Sequence, residues 1–341
     1  MIGVVIVPTG IGAELGGHAG DANPMLKLIG ACCETVITHP NVVNASDINE
    51  MPENCLYVEG SILDRFLRGE ITLKPVRKPN RILMVVNAPA CEQSINAAAA
   101  AAATIGCDIE VLELDTPLKM IATMESGNAT GEVTGELELY SQVKDRQFDA
   151  LAVHTKIEVE RDVALNYYRK GGVNPWGGVE AKASKLIANL INKPVAHAPL
   201  ESVEAADEEL FTIHDEVLDP RIAPEALSMC YLHWILKGLH RAPEIGNPTA
   251  WQAHRLNLYD VDFMVAPKNC YGPAHAACVE AGIPIICVKE NGTVNSLGHP
   301  EGIQVDNYLE AAGVVMAMKA GVTPASVRRP FKWGGVIGKG E

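Results

Sequence analysis

The stretch VDFMVAPKNCYGPAHAACVEAGIPIICVKEN, residues 261–291, decides the fold class of this chain. It opens with an apolar run, VDFMVAP, passes through a turn with a cysteine into an alanine-rich segment, and closes after a glycine with a second apolar run, IPIICV. Two such runs joined by a helical segment are typical of a β-α-β unit, whose strands are parallel. The stretch therefore predicts a parallel sheet in this part of the chain.

The same alternation recurs through the rest of the sequence. Further apolar runs are GVVIVPT, CLYVEG, RILMVVNAP, DIEVLELD, FDALAVHT and KPVAHAPL. Helices are predicted at about residues 24–36, 92–105, 117–125, 178–191, 220–240, 272–281 and 308–320. This order predicts an α/β fold with largely parallel sheets and helices on both faces. It is compatible with two Rossmann-like lobes around a cleft and with one continuous domain.

A polar stretch at residues 125–147, ESGNATGEVTGELELYSQVKDRQ, has little apolar periodicity and is predicted to be a linker or surface excursion. We therefore divide the chain into an N-terminal lobe, residues 1–147, and a C-terminal lobe, residues 148–341. The N-terminal lobe would carry a glycine-rich ligand loop.

Composition excludes several classes of protein. Among 341 residues the formal net charge is -14, and no basic run offers a footprint for nucleic acid. The apolar stretches are too short to span a bilayer, and the first residues lack the pattern of a secretion signal, so we expect no membrane partner and a cytoplasmic location. Nine cysteines without a C-x-x-C pair predict neither a disulfide framework nor a zinc knuckle. The size and the Gly- and Ala-rich composition favour a homo-oligomer.

The loop PTGIGAELGGHAGDANP, residues 8–24, concentrates glycines between a strand and a helix. It matches neither the P-loop nor the G-x-G-x-x-G pattern, which argues against an ordinary ATP or NAD site. Backbone amides and a helix N-terminus could hold a carboxylate or phosphate, and a structural turn is the equal alternative. Asn23 is predicted to cap the helix, with Pro24 in its first turn. The candidate ligand-binding residues are Thr9, Gly10, Gly12, Gly16, Gly17, His18, Asp21 and Asn23.

Polar residues also follow other strands, where ligand sites of open α/β sheets lie. His39 in THPNVVNAS could be a base or a metal ligand, beside Asn41 and Asn44, although the segment also fits an ordinary turn. Glu59, at a strand end, could bind a ligand or a metal. The candidate ligands for a divalent metal are His39, Glu59 and Asp21. Further candidate substrate-binding residues are Asn174, Trp176, Glu290 and Asn291.

Two cysteines, Cys91 and Cys270, each follow a strand and precede a helix. A thiol at a helix N-terminus is expected to have a lowered pKa, although a buried inert thiol is the ordinary alternative. Two such thiols facing one substrate could remove and return a proton beside a carboxylate. This layout resembles that of the cofactor-independent aspartate/glutamate racemase superfamily, but the Gly-Cys-Thr-His motif of that superfamily appears here as KNCYGPAH.

Most of the chain resembles a bacterial and cyanobacterial family known as domain of unknown function three-three-two-six. The stretches that carry the resemblance are PTGIGAELGGHAGDANP, ITHPNVVNAS and LYVEGSILDRFLRG, with NYYRKGGVNPWGGVEAKAS and VKENGT matching more loosely. The resemblance implies no activity.

These observations lead to three hypotheses for function. The first is an enzyme that binds a small anionic metabolite, a cofactor-independent isomerase or racemase using Cys91 and Cys270 with His39 nearby. The second is a metal-dependent lyase or hydrolase, in which a divalent cation polarises the substrate. The third is a non-catalytic metabolite-binding or regulatory protein. No organic cofactor is favoured.

Overall fold

The structure, a computed structural model, contains parallel β-sheets with helices packed around them. It describes residues 1–18, 21–43, 51–200, 216–223, 231–249, 254–295, 302–331 and 333–335. Within these ranges, no helix has the length and apolar character needed to cross a membrane. The predicted α/β fold class is confirmed.

The secondary structure alternates between strands and helices along the described chain. The strands are β1 Ile2–Val5, β2 Thr35–Thr38, β3 Cys55–Tyr57, β4 Thr72–Lys74, β5 Arg81–Asn87, β6 Asp108–Leu114, β7 Lys119–Glu125, β8 Asn128–Thr134, β9 Ala150–Thr155, β10 Ile157–Glu158, β11 Val195–Pro199, β12 Glu244–Gly246, β13 Phe263–Pro267, β14 Ile285–Val288 and β15 Ile303–Val305. The helices are α1 Asn23–Gly30, α2 Pro40–Val43, α3 Gly60–Leu67, α4 Glu92–Ile105, α5 Glu136–Val143, α6 Arg161–Lys170, α7 Gly177–Ile191, α8 Tyr231–His240, α9 Pro273–Ala281, α10 Tyr308–Lys319 and α11 Pro324–Val327. A 3₁₀ turn covers Leu258–Asp260.

The first sheet joins both ends of the described chain. Its six strands lie in the order β15-β14-β13-β1-β2-β3, and every pair is parallel. β1 is central and pairs with β2 on one side and with β13 on the other. Gly3 fits this place because a Cβ there would lie 2.4 Å from the Phe263 ring. The carboxyl ends of these strands therefore meet at one edge.

The second sheet comes from the middle of the chain. Its four parallel strands lie in the order β11-β9-β5-β6. Two smaller sheets, β10-β7-β8 and β12-β4, complete the pairing. The division of the chain into lobes at residue 147 stays a prediction.

Buried side chains cover both faces of the first sheet. Along β1, Val4 and Val5 are fully buried and belong to different core clusters, as expected when successive side chains point to opposite faces. On one face, α1 contributes the fully buried Leu26 and Ile29, each stabilising the fold by roughly 1.5–3 kcal/mol. On the other face, α3 contributes Leu63. The sheet is thus sandwiched by helices, as its continuous apolar strands predict.

Three predictions about secondary structure were wrong. Residues 119–125 form strand β7 rather than a helix, and 125–147 hold β8 and α5 rather than a linker. Ser126 and Gly127, both with positive φ, turn the chain between β7 and β8. Asn23 is the first residue of α1 rather than its N-cap, which is Ala22.

Two predicted helices differ in extent from those observed. The first ends at Gly30, because Thr35–Thr38 are drawn into the sheet beside β1. The helix predicted at 220–240 is observed as Tyr231–His240, and residues 224–230 lie outside the described ranges.

Candidate active site

A cavity of about 350 Å³ lies between two groups of elements. One is formed by the carboxyl ends of the strands of the first sheet, and the other by helix α7 and by strand β11 of the second sheet. The residues contributed by the first sheet's strand ends include Thr9, His39, Asn41, Glu59 and Cys270. The polar side chains contributed from the other side are those of Glu180, Ser184 and His197. A concave site with a few convergent polar groups is the usual form of a small-molecule site. The structure therefore brings five of the sequence-predicted residues onto one wall.

His39 is held in one orientation beside the end of β1. Its Nε2 accepts a hydrogen bond of 3.0 Å from the backbone N–H of Val7. Burial lowers the pKa of His39 to about 4, so the ring is neutral at pH 7 and its proton is on Nδ1. His39 can donate a hydrogen bond from Nδ1 to a ligand.

Asn41 ties the glycine-rich loop to β1. Its amide donates to the backbone oxygen of Val7 at 2.6 Å and to that of Gly16 at 2.7 Å. Both donors of Asn41 are therefore used by the protein, and its contribution is to position the wall.

Glu59 ends the third strand and caps α3. Its Oε2 accepts hydrogen bonds from the N–H groups of Ser61 and Ile62, at 2.9 and 3.2 Å, and from the Ser61 hydroxyl. Glu59 is 5% exposed, and burial raises the pKa of its carboxyl group. All three bonds are to one oxygen, and Oε1 makes no hydrogen bond to the residues that the structure describes.

On the second wall, His197 links a helix to a strand. Its Nδ1 lies 3.0 Å from Oε1 of Glu180, and its Nε2 lies 3.2 Å from the hydroxyl of Thr155. Because a carboxylate only accepts hydrogen bonds, Nδ1 of His197 donates to Glu180. The order resembles a nucleophile-base-acid relay. Thr155 is only 1% exposed and does not line the cavity, so the group presented to a ligand is the carboxylate of Glu180.

Cys270 is a buried thiol on the first wall. Its S–H donates to the backbone oxygen of Pro267 at 3.1 Å, and Nε2 of His275 lies 3.6 Å from the sulfur. Burial raises the pKa of Cys270 to about 12. The lowered pKa expected from the nearby helix N-terminus is wrong, because desolvation of the thiolate outweighs the helix effect. Cys270 is protonated at neutral pH.

Cys91 occupies a different place. It is the N-cap of α4, beyond the end of β5 in the second sheet, and its sulfur accepts from the Ser94 N–H at 3.5 Å. It is not among the residues that line the cavity.

Three helices, α3, α7 and α9, begin at the cavity, and side chains of the protein cap their first amides. The caps are Glu59 for α3, Asn174 for α7, and Asp64 together with His275 for α9. A helix N-terminus favours an anion through its free N–H groups. Here a ligand anion would have to compete with these caps.

The glycine-rich loop serves close packing. Gly10, Gly12 and Gly16 all have positive φ, and a Cβ on Gly17 would lie 2.0 Å from the backbone oxygen of Ala13. The loop amides bond within the protein: Leu15 N–H donates to Asn291 at 2.9 Å, and Gly16 N–H donates to Asp21 at 2.6 Å. This answers why so many glycines stand there, since the chain turns tightly and other segments approach its backbone.

The remaining predicted residues surround this loop. His18 stacks on Tyr167, 2.9 Å from its hydroxyl, and Trp176 packs against the same tyrosine. Asn291 is fully buried and also donates to the Tyr308 hydroxyl, while Glu290 accepts from the backbone N–H of Tyr308. Asn44 lies outside the described residues. His18 and Asn291 thus contact the protein's own side chains or the loop, and a role of these residues in substrate binding stays a prediction.

Within the described ranges, no group of three or more His, Cys, Asp and Glu side chains could hold a metal ion.

Comparison with known proteins establishes the family. Residues 2–328 match DUF3326, described as a protein of unknown function. The chain belongs to this family. It is 35% identical over 342 residues to an uncharacterized lipoprotein of Synechococcus sp. (strain PCC 6301), covering 95% of this chain and 92% of that protein. The resemblance predicted from sequence is confirmed.

In this DUF3326 chain, the three stretches that carried the resemblance meet at the cavity. They contribute Thr9, His39 and Glu59 respectively. Sequence reasoning missed His197 as a site residue and passed over Glu180, although a histidine inside the apolar run KPVAHAPL was a signal of a polar role. The pairing of Glu180 with His197 depends on α7 lying against β11, which no local pattern reveals.

Proposed function

We propose that this protein is an enzyme that binds a small metabolite in the cavity and transfers a proton on it, as an isomerase or racemase. The observation that carries the proposal is a pair of side chains on the two walls of the cavity. One wall carries the carboxylate of Glu180, which His197 holds in place, and the other carries the protonated thiol of Cys270. A carboxyl group on one wall and a thiol on the other suit removal of a proton from one side of a carbon and delivery from another.

The proposed roles follow from the contacts. Glu180 takes the proton from the substrate carbon, and His197 fixes its orientation through Oε1. Cys270 gives its S–H proton to the same carbon, and the neighbouring His275 ring stabilises the thiolate that remains. The product leaves Glu180 protonated and Cys270 as thiolate, and exchange with solvent restores both. His39 donates from Nδ1 to a substrate oxygen.

Proton exchange in D₂O tests this proposal without knowledge of the substrate. The purified protein is incubated with a mixture of the proteinogenic L-amino acids, and the loss of each Cα–H signal is followed by ¹H NMR. We expect loss of signal for at least one amino acid, and a drop of about 100-fold or more in Glu180→Gln and Cys270→Ser. Exchange that is unchanged in both variants, or absent throughout, would contradict the proposal.

Cys91→Ser separates this mechanism from the two-thiol mechanism predicted from sequence. Because Cys91 does not line the cavity, the variant is expected to exchange at the wild-type rate. A loss comparable to that of Cys270→Ser would favour the two cysteines as the acid and base.

The same samples test the two other functions. Capture of an amino acid without exchange would favour a non-catalytic binding protein. Activity that is lost on treatment with a chelator and restored by a divalent cation would favour a metal-dependent lyase or hydrolase.

We also propose a cytoplasmic location and a homo-oligomeric state. All eight cysteines in the described ranges are free, which suits a reducing compartment. The relative named as a lipoprotein makes the location worth testing directly. Lipid attachment at Cys32 or Cys33, with removal of the preceding residues, would remove β1 from the centre of the first sheet. Cell fractionation tests the location, and sedimentation tests the oligomeric state.

A further inference from the structure

We infer that the ligand of this cavity carries a protonated amine, held by carboxyl groups of the two walls. The inference rests on the proposed function in that it concerns the same cavity. It differs from the anionic ligand expected from the sequence.

The charged groups of the cavity are all acidic. Glu59, Asp64 and Glu180 line it, and no Lys or Arg does so among the residues that the structure describes. Arg68 and Lys185 lie close enough to act on the pKa of Asp64, but neither is part of the lining. A wall of one charge sign attracts ligands of the other sign. The lining therefore favours a cation over a carboxylate or phosphate.

Two carboxyl groups of the lining have an oxygen that can accept a hydrogen bond from a ligand. Glu180 uses Oε1 for His197, and its side chain is 26% exposed; Oε2 makes no hydrogen bond within the described ranges. Glu59 is only 5% exposed, and Oε1 likewise has no partner in the described part of the protein. Both residues line the cavity, so an ammonium group bound there could donate hydrogen bonds to these two oxygens.

The rest of the lining indicates the body of the ligand. Apolar side chains, among them Ile6, Ile11 and Leu63, share the wall with these carboxyl groups. A bare divalent cation would leave this apolar surface unused, and no cluster in the described ranges has the three donors it needs. An ammonium group on a short carbon chain fits both parts of the surface.

A matched series of five-carbon compounds tests the charge preference. Binding of 1,5-diaminopentane, pentylamine, pentanol and pentanoate to the full chain is measured by calorimetry and by thermal unfolding at pH 7.5 and constant ionic strength. We expect both amines to bind at least about tenfold more tightly than pentanol, and pentanoate to bind most weakly. Pentanoate binding as tightly as pentylamine, or no binding by either amine, overturns the inference.

Variants of the lining residues test which side chains bind the amine. Glu180→Gln is expected to weaken pentylamine binding at least about tenfold, whereas Glu125→Gln, at an exposed position of β7, leaves it unchanged. Ser184→Lys places a cation on the wall and is expected to abolish amine binding while improving that of pentanoate; unchanged amine binding in both cavity variants overturns the inference. Amine binding without proton exchange would support this inference and contradict the proposed function. Proton exchange without a preference for amines would support the proposed function and contradict this inference.

Discussion

Asp21 combines a partly buried carboxyl group with a hydrogen bond from Gly16, and the two act on its pKa in opposite directions. Burial wins and raises the pKa to about 6, from 3.8 in an unperturbed side chain. Between these values the folded chain binds a proton that the unfolded chain has released. The contribution of Asp21 to the free energy of unfolding therefore falls as the pH rises from 3.8 to about 6. Above about pH 6 the ionised, partly buried carboxylate destabilises the folded state by its full amount.

Asp21→Asn keeps the acceptor oxygen for Gly16 and removes the charge. We expect the variant to be more stable than wild type at pH 7.5, by on the order of 1 kcal/mol, with the difference vanishing near pH 4. Denaturant unfolding at several pH values measures it. Asp145→Asn, at an exposed position, is the control. A difference that is constant with pH would show that the charge of Asp21 is not responsible.

Cys270 and Cys91 should respond very differently to alkylation. Cys270 is 2% exposed and its pKa is raised to about 12, whereas Cys91 is half-buried. We expect iodoacetamide at pH 8 to modify Cys91 in the native protein and to leave Cys270 intact, as mass spectrometry of each cysteine would report. Rapid modification of Cys270 below pH 7 would restore the reactive-thiol hypothesis.

At the scale of elements, α7 approaches the β7–β8 hairpin so closely that only glycine fits between them. A Cβ on Gly178 would lie 2.1 Å from the backbone oxygen of Ala129, and one on Gly177 would lie 2.2 Å from the Thr9 hydroxyl. The first turn of α7 also carries Glu180. The packing of this turn therefore sets the position of the proposed base.

Gly178→Ala tests that packing. Alanine is the better helix former by about 1 kcal/mol, yet the clash with backbone is expected to lower stability by about 2 kcal/mol and to weaken pentylamine binding. Gly313→Ala in α10 is the matched control, because a Cβ there meets nothing within 4 Å, and it should gain up to about 1 kcal/mol. Thermal unfolding compares them; a stabilised Gly178→Ala variant would refute the close approach.

Sequence patterns predicted the strands and helices whose formation depends mainly on neighbouring residues in the sequence. The strands with continuous buried β-branched residues, such as Arg81–Asn87, were predicted because burial on both faces leaves that pattern. β7 was missed because Lys, Met and Ala also suit a helix, and the hairpin is stabilised by packing on α7. Likewise His39 and Glu59 were found from strand ends, whereas the meeting of Glu180 with His197 requires the tertiary fold.

On the scale of the whole molecule, the first sheet depends on the N-terminal strand. A variant that begins at Cys32 lacks β1, so β2 and β13 lose their shared neighbour. We expect it to be insoluble or to lack a cooperative unfolding transition. Circular dichroism and sedimentation check this. A folded truncated chain would remove the structural objection to lipid attachment at Cys32.

The central place of β1 also has a consequence during synthesis on the ribosome. β1 is made first, but its partner β13 follows 260 residues later. At about 5–20 residues per second, β1 waits on the order of 13 to 52 s for that neighbour. The second sheet, encoded wholly between these strands, can form in the interval. Until β13 emerges, one edge of β1 stays open to strands of other nascent chains, so production in cells should depend on chaperones that shield it.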